Sequence, residues 1–240
     1  MLGGKAQGNT LLRRHQYEYS SLDIAKHLIE NKIRNQRATL NSIRKKNDVQ
    51  KEAIRKLDEY LLSLKGCNGN LSELLGYEGN AAKIYFKALF LDTEWSRRQP
   101  RIKPDYINAT LDIGYTILFN IIDSILNIYG FDTYCGVMHR QFYMRKSLVC
   151  DLVEPFRCLI DRQIIKAIHL GQIKKEDFCT DNLRYYLDWN RNSYYVRLLT
   201  DPIIKEKENI FLYIQSYYRA FMKQKPVTEY PVYDITGAAT

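Results

Sequence analysis

From Leu22 onward the apolar residues return every three to four positions, and the polar ones fill the gaps. Leu22, Ile24, Ala25, Leu28, Ile29, Ile33 and Leu40 follow that spacing behind a capping box formed by Ser20 and Asp23. The segment predicts an amphipathic helix over 20–47, with Lys32, Arg34, Arg37, Arg44, Lys45 and Lys46 on its solvent face. "DVQKEAIRKLDEYLLSLKG" predicts a second helix, closed by Gly66. Asn70 is placed to cap a short third helix, and "GNAAKIYFKALF" predicts a fourth. Between these two, Glu78 falls in a break flanked by Gly76 and Gly79.

The pattern stops at "WSRRQPRIKP", which holds two prolines and a run of basic residues. It resumes in "DYINATLDIGYTILFNIIDSILNIYG", a long helix ending at Gly130. Its apolar core, "YTILFNIIDSILNIYGF", carries Asn and Asp, so it reads as a buried helix rather than a membrane span. A further helix runs to about His169, a basic turn "GQIKKEDF" follows, and then come "NLRYYLDWNRNSYYVRLL", "IIKEKENIFLYIQSYYRAFMKQ" and a loose tail. No β-hairpin pattern stands out after residue 15. The fold class expected is all-α, with a Gly-rich segment over 1–12 and one helical domain over 13–240.

Charge changes this picture more than bulk composition does. Hydrophobic residues at 45% and charged residues at 26% are ordinary for a globular chain, but the net charge of +9 is not. Such a surplus favours a polyanionic partner, with nucleic acid first. Five cysteines, Cys67, Cys135, Cys150, Cys158 and Cys179, include no C-x-x-C pair. That argues against a disulfide framework or a zinc knuckle, and a cytoplasmic setting is expected.

Candidate chemistry concentrates in "HRQFYMRKSLVCDLVEPFR". Asp151 and Glu154 share a helical face beside Leu148, Leu152, Phe156 and Leu159, which sets two carboxylates at a core edge. Pro155 removes a backbone donor there and is expected to bend the helix at the acids. His139 precedes them across a basic loop. Two carboxylates and an imidazole suit Mg²⁺ or Mn²⁺; ion pairing of the acids with Arg157 and Arg162 is the competing explanation. Glu78 stands open in the same way, either capping a helix or projecting into a cleft as another ligand.

Four stretches in order, "LLGYEGNAAKIYF", "DYINATLDIGYTILF", "GVMHR" and "SLVCDLVEPFRCLID", resemble the successive signatures of the CRISPR-associated Cas-one (Cas1) integrase family. The resemblance spans about residues 10–233, with "KIRNQ" and "IQSYYRAFMK" near its ends. It implies that Glu78, His139 and Glu154 bind a divalent metal, Mg²⁺ or Mn²⁺, and that Asp151 lies beside them as a fourth catalytic residue. It implies an endonuclease and integrase that inserts captured DNA fragments into a CRISPR array by transesterification. Arg97, Arg98, Arg101 and Lys103 in one loop, and Arg140, Arg145 and Lys146 nearer the metal, are the expected DNA contacts. The family's N-terminal β domain is expected to be largely absent. The chain is therefore expected to form a homo-oligomer through its N-terminal helices or the segment Tyr185–Tyr195, and to integrate short duplexes without the usual Cas-two (Cas2) partner. Two rival readings are a structure-selective nuclease of branched DNA in repair and a basic helical DNA-binding subunit without chemistry.

Overall fold

The computed structural model describes residues 9–18, 22–67, 69–139 and 142–237. Among them the chain forms α1 (Thr10–Glu18), α2 (Leu22–Asn41), α3 (Asp48–Gly66), α4 (Leu71–Leu89) and α5 (Tyr106–Tyr129). Next come α6 (Ser147–Val153), a 3₁₀ turn (Glu154–Phe156) and α7 (Arg157–His169). A small hairpin, β1 (Phe178–Asp181) and β2 (Arg184–Leu187), precedes α8 (Asn192–Lys205) and α9 (Lys207–Met222). The all-α class holds. The Gly-rich start over 1–8, Ser20 of the expected capping box and Arg140 lie outside the described residues. The helical body reaches back to Thr10, and Leu12 is fully buried, so the boundary expected at residue 13 falls inside α1.

Side-chain caps account for several helix starts. Asn47 and Gln50 form a reciprocal capping box on α3, Asn70 accepts from the Glu73 amide at the start of α4, and Asp105 accepts from the Asn108 amide on α5. Gly130, with φ of 82°, takes the left-handed position that ends α5. That helix is long and apolar enough to cross a membrane by length and composition. Here Ile107, Leu111, Leu118, Ile122 and Leu126 line its buried side. A Cβ on Gly114 would come within 2.4 Å of Ile160 Cγ2, so only glycine admits this close approach of α5 to α7.

Four local expectations are corrected. The two short helices around Glu78 are one, since α4 runs unbroken through Gly76 and Gly79. Each glycine weakens a helix by only about 1 kcal/mol, and the packing of Leu74, Ala81 and Tyr85 outweighs that. The hairpin was not legible because its strands have four residues each and its turn is held by left-handed Asn182 and Leu183, φ 47° and 64°. Leucine is a poor residue for such a turn, so the usual sequence signal is missing. The last helix does not begin at Ile203 as its segment suggested: α8 runs on through Pro202 to Lys205, and the break comes at Glu206. The carbonyl that Pro202 deprives of its helical donor, that of Leu198, accepts instead from Gln163 Nε2 at 3.1 Å.

The tail after α9 is not loose. Asn31 donates to the Tyr233 carbonyl at 2.7 Å and accepts from the Tyr233 amide at 2.9 Å. Asn35 accepts from the Ile235 amide and donates to the carbonyls of Tyr233 and Pro155, both at 2.9 Å. Tyr230, Tyr233 and Ile235 are buried, and the Tyr233 ring lies 4.5 Å from that of Phe156. The tail thus straps the 3₁₀ turn to α2. A chain ending at Lys225 is expected to lose more than ~4 kcal/mol of stability, from three buried side chains and two orphaned amides. Urea unfolding measures this; a loss under about 1 kcal/mol would mean that the strap carries no weight.

Candidate active site

α2, α4, the 3₁₀ turn and the start of α7 meet at one open cleft of about 640 Å³, closed on another side by α5. Lys32, Glu78, Arg98, Glu154 and Arg157 line it. Lys32 was expected on the solvent face of its helix. It is instead one of the buried polar residues of α2, with Asn31, Asn35, Gln36 and Thr39, because that helix is enclosed on more than its apolar stripe. Its ammonium touches Glu78 Oε1 and lies 2.6 Å from Glu154 Oε2. Arg157 Nε reaches the same Glu154 oxygen at 3.0 Å. Burial alone would raise the Glu154 carboxyl, but Arg157 and then Lys32 outweigh it and hold it well below the usual carboxylate range.

Asp151 and Glu154 do not act on one face as expected. Glu154 turns to the cleft, while Asp151 is fully buried and turned to the loop before α6. Asp151 Oδ2 accepts from the amides of Val137 and Met138 at 2.7 and 3.0 Å, and Oδ1 accepts from the amide of His139 at 3.0 Å. A Cβ on Gly136 would meet Asp151 Oδ2 at 2.6 Å and the Ser147 backbone at 2.9 Å, so the loop can wrap the carboxylate only with glycine there. His139 Nδ1 lies 2.6 Å from Asp151 Oδ1. A carboxylate only accepts, so Nδ1 carries the proton and the lone pair of the neutral ring sits on Nε2. Asp151 is a positioning residue in this geometry.

The floor of the cleft was not anticipated. Tyr115 carries two guanidinium groups over its ring, Arg157 at 4.4 Å and Arg98 at 5.5 Å. Arg98 also donates to Asn108 Oδ1 at 2.9 Å. Beneath them Asp161 accepts from the hydroxyls of Tyr115 and Tyr85, the latter at 3.0 Å. In the sequence Tyr115 is one more aromatic residue in an apolar helix, and its spacing carries no sign of this role. Only the close approach of α5 to α7 at Gly114 brings it under Arg157.

The expected DNA contacts divide. Arg97 and Arg101 are exposed, Arg98 lines the cleft, and Lys103 pairs with Asp112 at its rim. Arg145 is exposed, whereas Lys146 is held by Asp123 at 2.6 Å. In the segment expected to mediate association, Tyr186 and Trp189 are exposed and Tyr195 is fully buried.

Among the described residues no three His, Cys, Asp or Glu side chains converge on one point as a ready metal cluster, since an ammonium lies between Glu78 and Glu154. The donor set still suits a hard divalent cation. Two carboxylates already share one cation, and Glu154 Oε2 is buried with ion contacts but without an aligned hydrogen bond. His139 is not among the residues that line the cleft; its Nδ1 is anchored to the Asp151 carboxylate, as the second nitrogen of metal-binding histidines is.

The family described as CRISPR associated protein Cas1 matches residues 1–200. The CRISPR-associated endonuclease Cas1 1 of Francisella tularensis subsp. novicida is 35% identical over 197 residues, 78% of this chain and 61% of the relative. That of Thermodesulfovibrio yellowstonii is 36% identical over 199 residues, 75% of this chain and 61% of the relative. The chain thus spans about three fifths of the length of these relatives. Among solved structures, a partial Cas6-RT-Cas1–Cas2 complex superposes with a TM-score of 0.87 at 24% identity, over 98% of this chain and 76% of the other. A casposase bound to integration product gives 0.79 at 23% identity, over 97% and 71%. At these identities the two structures speak for the fold.

Asp161 supplies a test of the buried network. Burial pushes its carboxyl up to about 6, against the two tyrosine hydroxyls that favour the charged form. A folded-state pKa above the unfolded one means that the folded chain binds the proton more readily. The resulting stability is fully present below the unfolded value and is lost as pH rises through about 6. Asp161→Asn is expected to remove this slope, so that the stability of the native chain relative to the variant falls by up to ~3 kcal/mol between pH 4 and 6.5. Urea unfolding at stepped pH reads it, and parallel profiles would refute it. Glu154, shifted the other way, acts only at lower pH.

Proposed function

The chain belongs to the Cas1 family, and from that premise we propose that it is a divalent-metal-dependent DNA endonuclease and integrase that joins captured DNA fragments to a CRISPR array. The observation that carries the reading is the cleft in which Glu78 and Glu154 share one cation, with His139 held by Asp151 one helical turn before Glu154. Glu78, Glu154 and His139 Nε2 would hold Mg²⁺ or Mn²⁺, which when bound supplies Lewis acidity toward a phosphate and lowers the pKa of an attacking hydroxyl or water.

The chain's own residues supply the rest. Arg157 and Arg98, presented over the Tyr115 ring, offer guanidinium donors to a phosphodiester in the cleft. Asp151 keeps the His139 ring in one tautomer and one orientation, which leaves Nε2 as the nitrogen available to a cation. In the reaction proposed, a fragment's 3′-hydroxyl oxygen loses its proton to solvent and bonds to phosphorus as the oxygen of the broken strand leaves and takes a proton in turn. One phosphodiester replaces another, so no outside energy source is needed. With water as the attacking oxygen the same site would cut DNA.

Insertion at both ends of a repeat takes two such events, and the described residues of a chain offer one such pair of cation-sharing carboxylates, so we take the working form to be a homo-oligomer acting in the cytoplasm. Complexes that contain Cas2 share this fold. Cas2 therefore joins DNA among the proposed partners, alongside the expectation of action without it.

Glu78→Gln, His139→Ala and Glu154→Gln are each expected to reduce strand transfer of a 3′-hydroxyl DNA end by at least about 100-fold, the scale set by removing one group that stabilises a transition state. Far-UV circular dichroism should stay unchanged. Transfer within threefold of the native rate in any well-folded variant would remove that residue from the chemistry. Arg97→Gln with Arg101→Gln is expected to weaken duplex binding evenly across sequences, and to reduce the log–log salt slope by about 0.9 for each phosphate no longer neutralised. An unchanged slope would place the DNA path elsewhere.

A further inference from the structure

Lys32 is a residue that the proposed chemistry does not use, yet it occupies the centre of the site. Its side chain is only 8% exposed, and both of its ion partners are proposed cation ligands. Lys32 and Arg157 together already balance the two carboxylates. A divalent cation on the same carboxylates would leave a buried ammonium facing like charge without a partner, which the interior does not tolerate. The ammonium must then find another anion. Within the cleft the remaining acids are engaged: Asp112 pairs with Lys103, and Asp161 accepts from Tyr85 and Tyr115. The cleft in front of Lys32 opens to solvent, its other basic lining residues are Arg98 and Arg157, and a lysine's four-carbon stem can swing into it. The anion that this arrangement calls for is a phosphodiester.

We propose that Lys32 is a built-in counter-ion that competes with the divalent cation for Glu78 and Glu154 and passes to a DNA phosphate when the cation enters. Cation and DNA then bind cooperatively, each raising the affinity for the other by the same factor. Without the cation, the same lysine keeps the two carboxylates together and the site folded. This rests on reading Glu78, His139 and Glu154 as the cation ligands.

The test measures Mn²⁺ binding by calorimetry to the full chain, with and without a short DNA duplex whose 3′ ends are blocked. Native protein is compared with Lys32→Met and, in case that variant folds poorly, with Lys32→Gln. Without DNA, the variants are expected to bind Mn²⁺ about tenfold or more tighter than the native chain, within the usual range of coupling between sites. DNA is expected to tighten Mn²⁺ binding of the native chain by a similar factor, and that of the variants little. The melting temperature of the variants should be lower without Mn²⁺ and should rise more on its addition. Equal or weaker Mn²⁺ binding in the variants, or coupling to DNA that survives the substitution, overturns the proposal. A Glu78→Gln control separates the two levels. If native Mn²⁺ binding does not depend on Glu78, the ligand reading fails and this proposal with it. If it does depend on Glu78 while Lys32 is indifferent, only the competition fails.

Discussion

A single ammonium between two carboxylates sets the terms for the rest of the site. Lys32, Glu78 and Glu154 come from α2, α4 and the 3₁₀ turn, and neither buried Lys32 nor buried Glu154 could sit there without an ion partner. An isolated charge in the interior costs several kcal/mol, and removing one partner of a buried pair costs about 3–5 kcal/mol. The three segments therefore have to arrive together. The tail adds a second tie at the same place, since Asn35 bonds both the Pro155 carbonyl beside Glu154 and the strand-like segment at Tyr233. Electrostatic need and backbone hydrogen bonding thus hold the same turn against the same helix.

The other half of the site is built on a different principle. Asp151 gathers three consecutive backbone amides and an imidazole, and Gly136 lets the loop come that close. Its buried oxygens find their donors in the loop itself rather than in a cationic side chain. The two acids of the D-x-x-E pair therefore do unlike work, one charged toward the cleft and one spent on the loop. Pro155 separates them by forcing the turn at which their directions diverge.

Much of this was legible in the sequence, and the misses have definite causes. Helix spacing, the caps at Asn70 and Gly130, the bend at Pro155 and the candidacy of Glu78, His139, Asp151 and Glu154 could be read from residue types at intervals. The buried position of Lys32 could not, because a periodicity argument assigns every lysine of an amphipathic helix to water. Only a second helix and a turn, distant in sequence, supply its partners. The strap was missed for a similar reason: Asn31 and Asn35 bond main-chain groups some two hundred residues away, and such bonds leave no local pattern. Arg157 was legible as an ion-pair partner of Glu154, but Arg162, expected beside it, bonds the Ile235 carbonyl instead.

The division of labour also fixes where this site can adapt to a substrate. Glu78 sits in the middle of a helix, and a Cβ on either flanking glycine, Gly76 or Gly79, would meet nothing. The space in front of that helix is open while its backbone is rigid. His139 is pinned by its own amide and its ring. By contrast Phe142, Tyr143 and Met144, just beyond it, are mostly exposed, and Arg145 is exposed with them. A polyanion entering the cleft would meet carboxylates already held by ion pairs, while the exposed side chains of 142–145 are free to adjust. Preorganisation of the reacting groups and tolerance toward the sequence being handled are then properties of different residues, so neither has to be given up for the other.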